Sequence, residues 1–298
     1  MDGLLDDDQR RRLSTYHRDG DEWIARLPGL VREFVGRWRL ELGEPFRPGG
    51  DASWAARVIR ADGGPGVLKI ALPDPVENVA VEMLRVLDGR GAVRLFEHDP
   101  DCHASLLELC SPGTFAAACP LDEADDAAVS VLPPVWALPA ASLPALPALP
   151  RLSDVARQRA VRLRHRADQL DDDLLRDGAD LYATLAEGDD AACVLHGDAN
   201  QRNVLQSERG WLAIDPRPMV GDPCADLAMW ITTRLDEVAD PVERVTALAA
   251  RLELPPTRAL RWVAGQTMLL CSWLQHSGEP GPLETYRRAA CDLTAASR

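Results

Sequence analysis

The run Val194-Leu195-His196-Gly197-Asp198-Ala199-Asn200-Gln201-Arg202-Asn203-Val204-Leu205, followed shortly by Trp211-Leu212-Ala213-Ile214-Asp215-Pro216, constrains this chain more than any other segment. Each half is a short apolar strand leading into a loop that carries an aspartate, and the two are joined by a hairpin-like return. The first loop adds Asn203 on the C-terminal side of its aspartate. Such loops meet the needs of in-line phosphoryl transfer, in which one carboxylate accepts a hydroxyl proton while an amide and a second carboxylate hold the magnesium ions that bridge the phosphates. Magnesium takes hard oxygen ligands and few of them from protein. Taken alone, Asn203 also reads as a turn residue that bonds its own backbone.

A second constraint is a scarcity. Of 33 lysines and arginines only one is lysine, Lys69, in the apolar run Gly66-Val67-Leu68-Lys69-Ile70. A position that stays lysine in such a chain calls for a compact point charge that the planar guanidinium does not imitate. In the middle of a short strand that charge needs an anion, a phosphate or a carboxylate, because an unpaired buried charge is costly. The plainer alternative is a side chain whose head reaches solvent.

Composition narrows the class. A hydrophobic fraction of 46% supports a sizeable core, and no long uncharged apolar run predicts a membrane span. The N-terminus, with Asp6-Asp7-Asp8 and Arg10-Arg11-Arg12, lacks a signal-peptide pattern. Seven scattered cysteines without C-x-x-C spacing predict reduced thiols in a cytoplasmic protein, with no disulfide framework or zinc site. A net charge of −14 disfavours nucleic acid and anionic membrane as partners and favours a cationic small molecule, although solubility alone also accounts for it.

Along the chain, residues 21 to 40 show helical spacing of Trp23, Ile24, Leu27, Leu30, Val31 and Phe34, with Pro28-Gly29 expected to split them into two short helices. Residues 43 to 109 read as strand-rich, with a helix near 75 to 88 and strands at Ala92–Phe96 and Ala104–Leu109. The proline-rich tract from 132 to 150 is expected to form an ordered loop, since its prolines oppose a regular helix. Helical patterns dominate from 151, interrupted by the strand-loop-strand region from Ala191 to Asp215.

Three elements occur in order: His196-Gly197-Asp198-x4-Asn203-Val204-Leu205, Ile214-Asp215-Pro216, and Gly221-Asp222-Pro223-x2-Asp226-Leu227-Ala228. The set resembles the aminoglycoside phosphotransferase family, within the protein-kinase-like fold. Pro45-Phe46-Arg47-Pro48-Gly49-Gly50, Leu87-Asp88-Gly89-Arg90-Gly91 and Glu208-Arg209-Gly210-Trp211-Leu212 are similar to its streptomycin 6-kinase and hydroxyurea-resistance branch. The resemblance implies an α+β, two-lobed fold: an N-terminal antiparallel sheet lobe with a helix (residues 1–109) and a mainly helical C-terminal lobe (residues 110–298). It implies an ATP-dependent kinase with an alcohol group as acceptor, using Mg2+.

The same resemblance implies roles. Asp198 is the expected catalytic base, Asn203 and Asp215 the metal ligands, Asp226 the brace of the catalytic loop, and His196 an orienting residue. Lys69 is expected on the α and β phosphates, paired with a helix glutamate, Glu82 by preference and Glu77 as runner-up because the sequence does not set helix phase. The backbone of Glu108 and Cys110 is expected to bind the adenine edge. Gly49-Gly50-Asp51-Ala52-Ser53 stands where a phosphate-covering loop belongs, and Ser53 is a candidate donor to phosphate; an ordinary hairpin turn is the alternative.

The implied acceptor is a small polar, cationic molecule, with streptomycin-like aminocyclitols ahead of sugars, amino sugars or other metabolites. A nucleotide-binding regulator without turnover is the competing class. Asp236, Glu237, Glu279 and Glu284 are available to a guanidinium-bearing acceptor, although solvated helix ends describe them better, and Trp273 reads as core ahead of the floor of a sugar pocket. The loop departs from the family pattern at Asn200, Gln201 and Arg202, where a histidine, a proline and a small residue are usual, and Arg217 stands where lysine is common.

Overall fold

The computed structural model describes residues 3–139, 143, 149–188, 193–277 and 282–298. The chain divides into two compact units, Met1–Gly113 and Thr114–Arg298. The boundary anticipated from the sequence, 109/110, lies just ahead of that division. The α+β class is as expected: an antiparallel sheet dominates the first unit and helices the second.

The first unit runs α1 (Asp7–Tyr16), α2 (Gly20–Arg37), β1 (Glu41–Pro45), β2 (Ser53–Ile59), β3 (Pro65–Ala71), α3 (Pro75–Leu87), β4 (Leu95–Asp99) and β5 (Ala104–Leu107). The strands form one antiparallel sheet in the order β1-β2-β3-β5-β4. The period-2 pleat of β3 sends Leu68 and Ile70 to one face. There they join Trp54, Ala56 and Val58 of β2 in a core shared with Trp23, Leu27, Val31 and Phe34 of α2. Lys69 therefore points to the opposite face, in register with Ala55 of β2 and Ser105 of β5.

Two expectations for this unit are corrected. Pro28 does not divide the helix, because α2 is continuous from Gly20 to Arg37 with Pro28 inside it. An interior proline costs about 3 kcal/mol, whereas each large apolar side chain fully buried returns about 1.5–3 kcal/mol. The buried stripe Trp23, Leu27, Leu30, Val31 and Phe34 runs past Pro28 on both sides and outweighs it. The strand expected at Ala92–Phe96 begins at Leu95 and runs to Asp99.

The second unit contains α4 (Leu121–Trp136), α5 (Leu152–Leu170), α6 (Asp173–Leu185), β6 (Cys193–Leu195), β7 (Val204–Ser207), β8 (Gly210–Ala213), β9 (Met219–Gly221), α7 (Cys224–Thr232), α8 (Pro241–Arg251), α9 (Pro256–Ser277) and α10 (Leu283–Ala296). Helix α9 is its spine, packed against α5 to α8 and α10. Two short antiparallel ribbons, β6–β9 and β7–β8, carry the loops of interest. Helix α4 corrects the loop expected from residue 132, since Pro133 and Pro134 sit inside its last turns. Its buried face of Ala124, Ala127, Ala128, Val131, Leu132 and Val135 holds it helical past both prolines. Most of the remaining tract lies outside the described residues. No helix among the described residues is long and apolar enough to cross a membrane, and none of the seven cysteines is paired in a disulfide.

Candidate active site

Hairpin β7–β8 pairs Val204 with Ala213, and the ladder extends one step outward, where Ile214 N–H donates to Asn203 O at 2.9 Å. This register sets Asn203 beside the peptide that leads into Asp215. The backbone of Asp215 is left-handed, φ 51°, an unfavourable conformation of the kind concentrated at functional positions.

The Asp198 carboxylate lies between two amides. Asn200 Nδ2 donates to Oδ1 at 2.9 Å, and Asn203 Nδ2 donates to Oδ2 at 2.8 Å. Both amides are fixed in turn. Asn200 Oδ1 accepts from Arg202 N–H at 2.9 Å, and Asn203 Nδ2 also reaches Asp198 O at 2.9 Å. With its amide hydrogens committed to Asp198, Asn203 directs its amide oxygen the other way. That oxygen and the Asp215 carboxylate are hard donors of the type magnesium prefers, so the residues present fit the ion. Among the described residues no three or more His, Cys, Asp or Glu side chains converge into a fuller metal cage, and an ion that keeps waters and phosphate oxygens does not require one.

Beneath the loop, Asp226 accepts from His196 N–H at 2.8 Å, Gly197 N–H at 2.9 Å and Trp136 Nε1 at 2.9 Å. It is 1% exposed. Burial pushes its carboxyl pKa up, and the hydrogen bonds from Trp136, Gly197 and His196 act against that rise. His196 accepts from Asp198 N–H at Nδ1, 3.3 Å, and so carries its proton on Nε2, which donates to Ile214 O at 3.1 Å. The imidazole thus ties the two aspartate-bearing loops together. Gly197 adopts φ +77°, and a Cβ there would stand 1.9 Å from Arg217 O, so only glycine fits where the two chains cross. Gln201 is buried and donates to Trp230 O at 3.1 Å, anchoring the loop to α7.

In the first unit Lys69 Nζ lies 2.8 Å from Glu77 Oε1, with side chains 12% and 19% exposed. The preference for Glu82 is therefore corrected. Helix α3 begins at Pro75, which turns Glu77 of its first turn toward the strand, while Glu82 pairs with Arg85 at 3.2 Å. Ser53 opens β2, and its carbonyl accepts from Gln9 Nε2 at 3.0 Å. Glu108 exchanges bonds with Arg94 through its N–H and its carboxylate, both at 2.9 Å, and Cys110 is buried.

The acidic candidates for an acceptor have partners of their own. Asp236 accepts from Tyr286 OH at 2.9 Å, and Glu237 forms a two-point pair with Arg234. Glu284 lies in the first turn of α10, and Glu279 falls outside the described residues. Trp273 is 52% exposed, which corrects the core reading.

Sequence reasoning missed Trp136 and Asn200 as supports of the loop. Trp136 stands in the tract that the sequence reads as a loop, although its indole N–H is a donor able to reach a buried carboxylate. Asn200 was noted only as a departure from the family pattern.

Residues 37–278 match the aminoglycoside/hydroxyurea antibiotic resistance kinase family. A streptomycin 6-kinase of Streptomyces glaucescens is 36% identical over 87% of this chain and 86% of its own. A hydroxyurea phosphotransferase of Kitasatospora aureofaciens is 35% identical over 87% and 76%, respectively. A choline kinase from Streptococcus pneumoniae superposes with a TM-score of 0.59 at 15% identity, covering 90% of this chain and 99% of that one. The protein belongs to the aminoglycoside/hydroxyurea antibiotic resistance kinase family and is a phosphotransferase of protein-kinase-like fold.

Proposed function

We propose that this protein transfers the γ-phosphoryl group of ATP to a hydroxyl of streptomycin or a closely similar aminocyclitol. The observation that carries the chemistry is the Asp198 carboxylate held between the Asn200 and Asn203 amides. The acceptor is taken from the streptomycin 6-kinase relative at 36% identity.

Asp198 accepts the acceptor's hydroxyl proton as the new O–P bond forms and the bond to the β-phosphate bridging oxygen breaks, releasing ADP. The two amides fix the carboxylate in one orientation, so the rate gain comes from positioning. Asn203 and Asp215 would hold Mg2+, which when bound neutralises phosphate charge. Lys69, oriented by Glu77, places a compact positive charge for the α and β phosphates. The Gly49–Ser53 turn offers backbone N–H groups and the Ser53 hydroxyl to phosphate, and the main chain at Glu108 and Cys110 takes the adenine edge. An enzyme that draws on the ATP pool works in the cytoplasm. Hydroxyurea is the second reading, supported by the 35% identical relative that phosphorylates it by name and by Asp236 and Glu237 already having partners within the chain.

Mass spectrometry of streptomycin, hydroxyurea, sugars and amino sugars incubated separately with enzyme and Mg-ATP tests this. One added phosphoryl group on streptomycin, lost in Asp198→Asn, is expected. Phosphorylated hydroxyurea or sugar overturns the acceptor and keeps the chemistry. Nucleotide binding without any product favours a regulator.

A further inference from the structure

Helix α1 lies outside the residues matched by the family, which begin at 37, and its side chains grip the Gly49–Ser53 turn. Gln9 is 2% exposed. Its amide donates to Gly50 O at 3.1 Å and Ser53 O at 3.0 Å. Arg12 donates to Gly49 O at 2.9 Å and to the Asp51 carboxylate at 2.7 Å. His17, the residue that caps α1, donates from Nε2 to Asp51 O at 2.8 Å. The fifth carbonyl of the turn, Ala52 O, accepts from Leu72 N–H at 2.9 Å.

Every carbonyl of the turn is thus occupied by a donor of the protein, four of the five by α1 or its cap. The N–H groups of Gly50, Asp51 and Ala52 find no acceptor among the described residues. With the carbonyls committed to donors of the protein, the N–H groups of Gly50, Asp51 and Ala52 are what the turn has left to offer an anion such as phosphate. The fit is close, since a Cβ on Gly49 would stand 2.0 Å from Gln9 Cδ. The start of α1 is tied to the same turn. Asp6 accepts from Gln9 N–H at 2.7 Å, and that bond, followed by the Arg47 charge and the Gly49 N–H, holds its carboxyl below the usual range.

We propose that α1 is a brace for the nucleotide-phosphate turn, with Gln9 and Arg12 as positioning residues that hold its N–H groups toward the phosphates. This rests on the reading of Gly49–Ser53 as the phosphate-covering turn. A free turn samples many conformations and must be ordered at the moment of binding; a turn already fixed through its carbonyls does not, and the saving appears in nucleotide affinity.

The test uses the full chain and isothermal titration with two probes, Mg-ADP and adenosine. Gln9→Leu keeps a side chain of similar size and removes both amide hydrogen bonds. Arg12→Gln, at a less buried position, removes the fork and serves if Gln9→Leu fails to fold. Each is expected to weaken Mg-ADP about tenfold, the scale of one or two hydrogen bonds, and to leave adenosine unchanged. A merely structural helix would lower the melting temperature and leave the Mg-ADP to adenosine ratio at its wild-type value, which overturns the proposal. Ser53→Ala separates the layers of the argument. If it weakens Mg-ADP while both α1 variants bind as wild type, the brace is wrong and the turn reading stands. If all three variants bind Mg-ADP as wild type, the turn does not serve the phosphates and both ideas fall.

Discussion

Lysine 69 and its glutamate show what a single residue decides. The pair is mostly withdrawn from water, where a charge-assisted bond is worth more than at the surface and its loss is costly. Glu82 lies on the same helix and is engaged with Arg85 at 3.2 Å. Glu77→Gln should therefore reduce kcat/KM for ATP by about 10- to 100-fold, the worth of a charge-assisted bond, while Glu82→Gln should stay within about twofold, as exposed pairs do. Steady-state kinetics at varied ATP decides between them, and the reverse ranking would return the role to Glu82. The lysine was legible in the sequence because it is the single exception to an arginine rule. Its partner was not, because one or two residues of uncertainty in where α3 starts rotate a different glutamate toward the strand. The same limit applied to Asn200. Its identity was plain, but its contact with Asp198 depends on a turn in which Arg202 N–H fixes the amide, and no spacing rule reveals that.

At the scale of elements, the departures from expectation share a cause. Pro28 in α2 and Pro133-Pro134 in α4 are local helix breakers overruled by tertiary burial. Sequence reading recovered the sheet, α3 and the C-terminal helices, where periodicity and turn residues agree, and failed where proline and burial disagree. The consequence of missing α4 was functional, since its last residue, Trp136, supports Asp226. Trp136→Phe keeps the ring and removes one of the donors to a carboxylate that is 1% exposed. An unsatisfied buried acceptor costs about 1–3 kcal/mol. Urea denaturation should show that loss, and turnover should fall with it because Asp226 holds the backbone of His196 and Gly197. A variant as stable as the wild type would mean that water replaces the indole.

For the second unit as a whole, Asp172 is a junction among three helices and offers a test in pH. It caps α6 by accepting from Leu174 N–H at 3.0 Å and Leu175 N–H at 3.3 Å, and it takes Gln275 of α9 at 3.0 Å and Arg287 of α10 at 2.6 Å. Burial alone would raise its carboxyl pKa; the bonds from Arg287 and Gln275, the Arg287 charge and the cap bond from Leu175 overcome that and leave it lowered. A lowered folded-state value means that the unfolded chain binds the proton first as pH falls. The stabilisation is complete above the unfolded carboxylate pKa near 4 and disappears as pH drops through the folded value. Asp99 is shifted in the same direction in the first unit, where Cys102 and Arg37 donate to it, so acid should loosen both units below about pH 4. Asp172→Asn should cost about 1.5–3 kcal/mol at pH 7, the range for hydrogen bonds to a charged group. Because the variant has no proton to gain at this position, its denaturation midpoint should fall less steeply than that of the wild type between about pH 4 and 3. Parallel slopes for the two proteins would show that the acid sensitivity resides in other carboxylates and that the three-helix junction is held by packing.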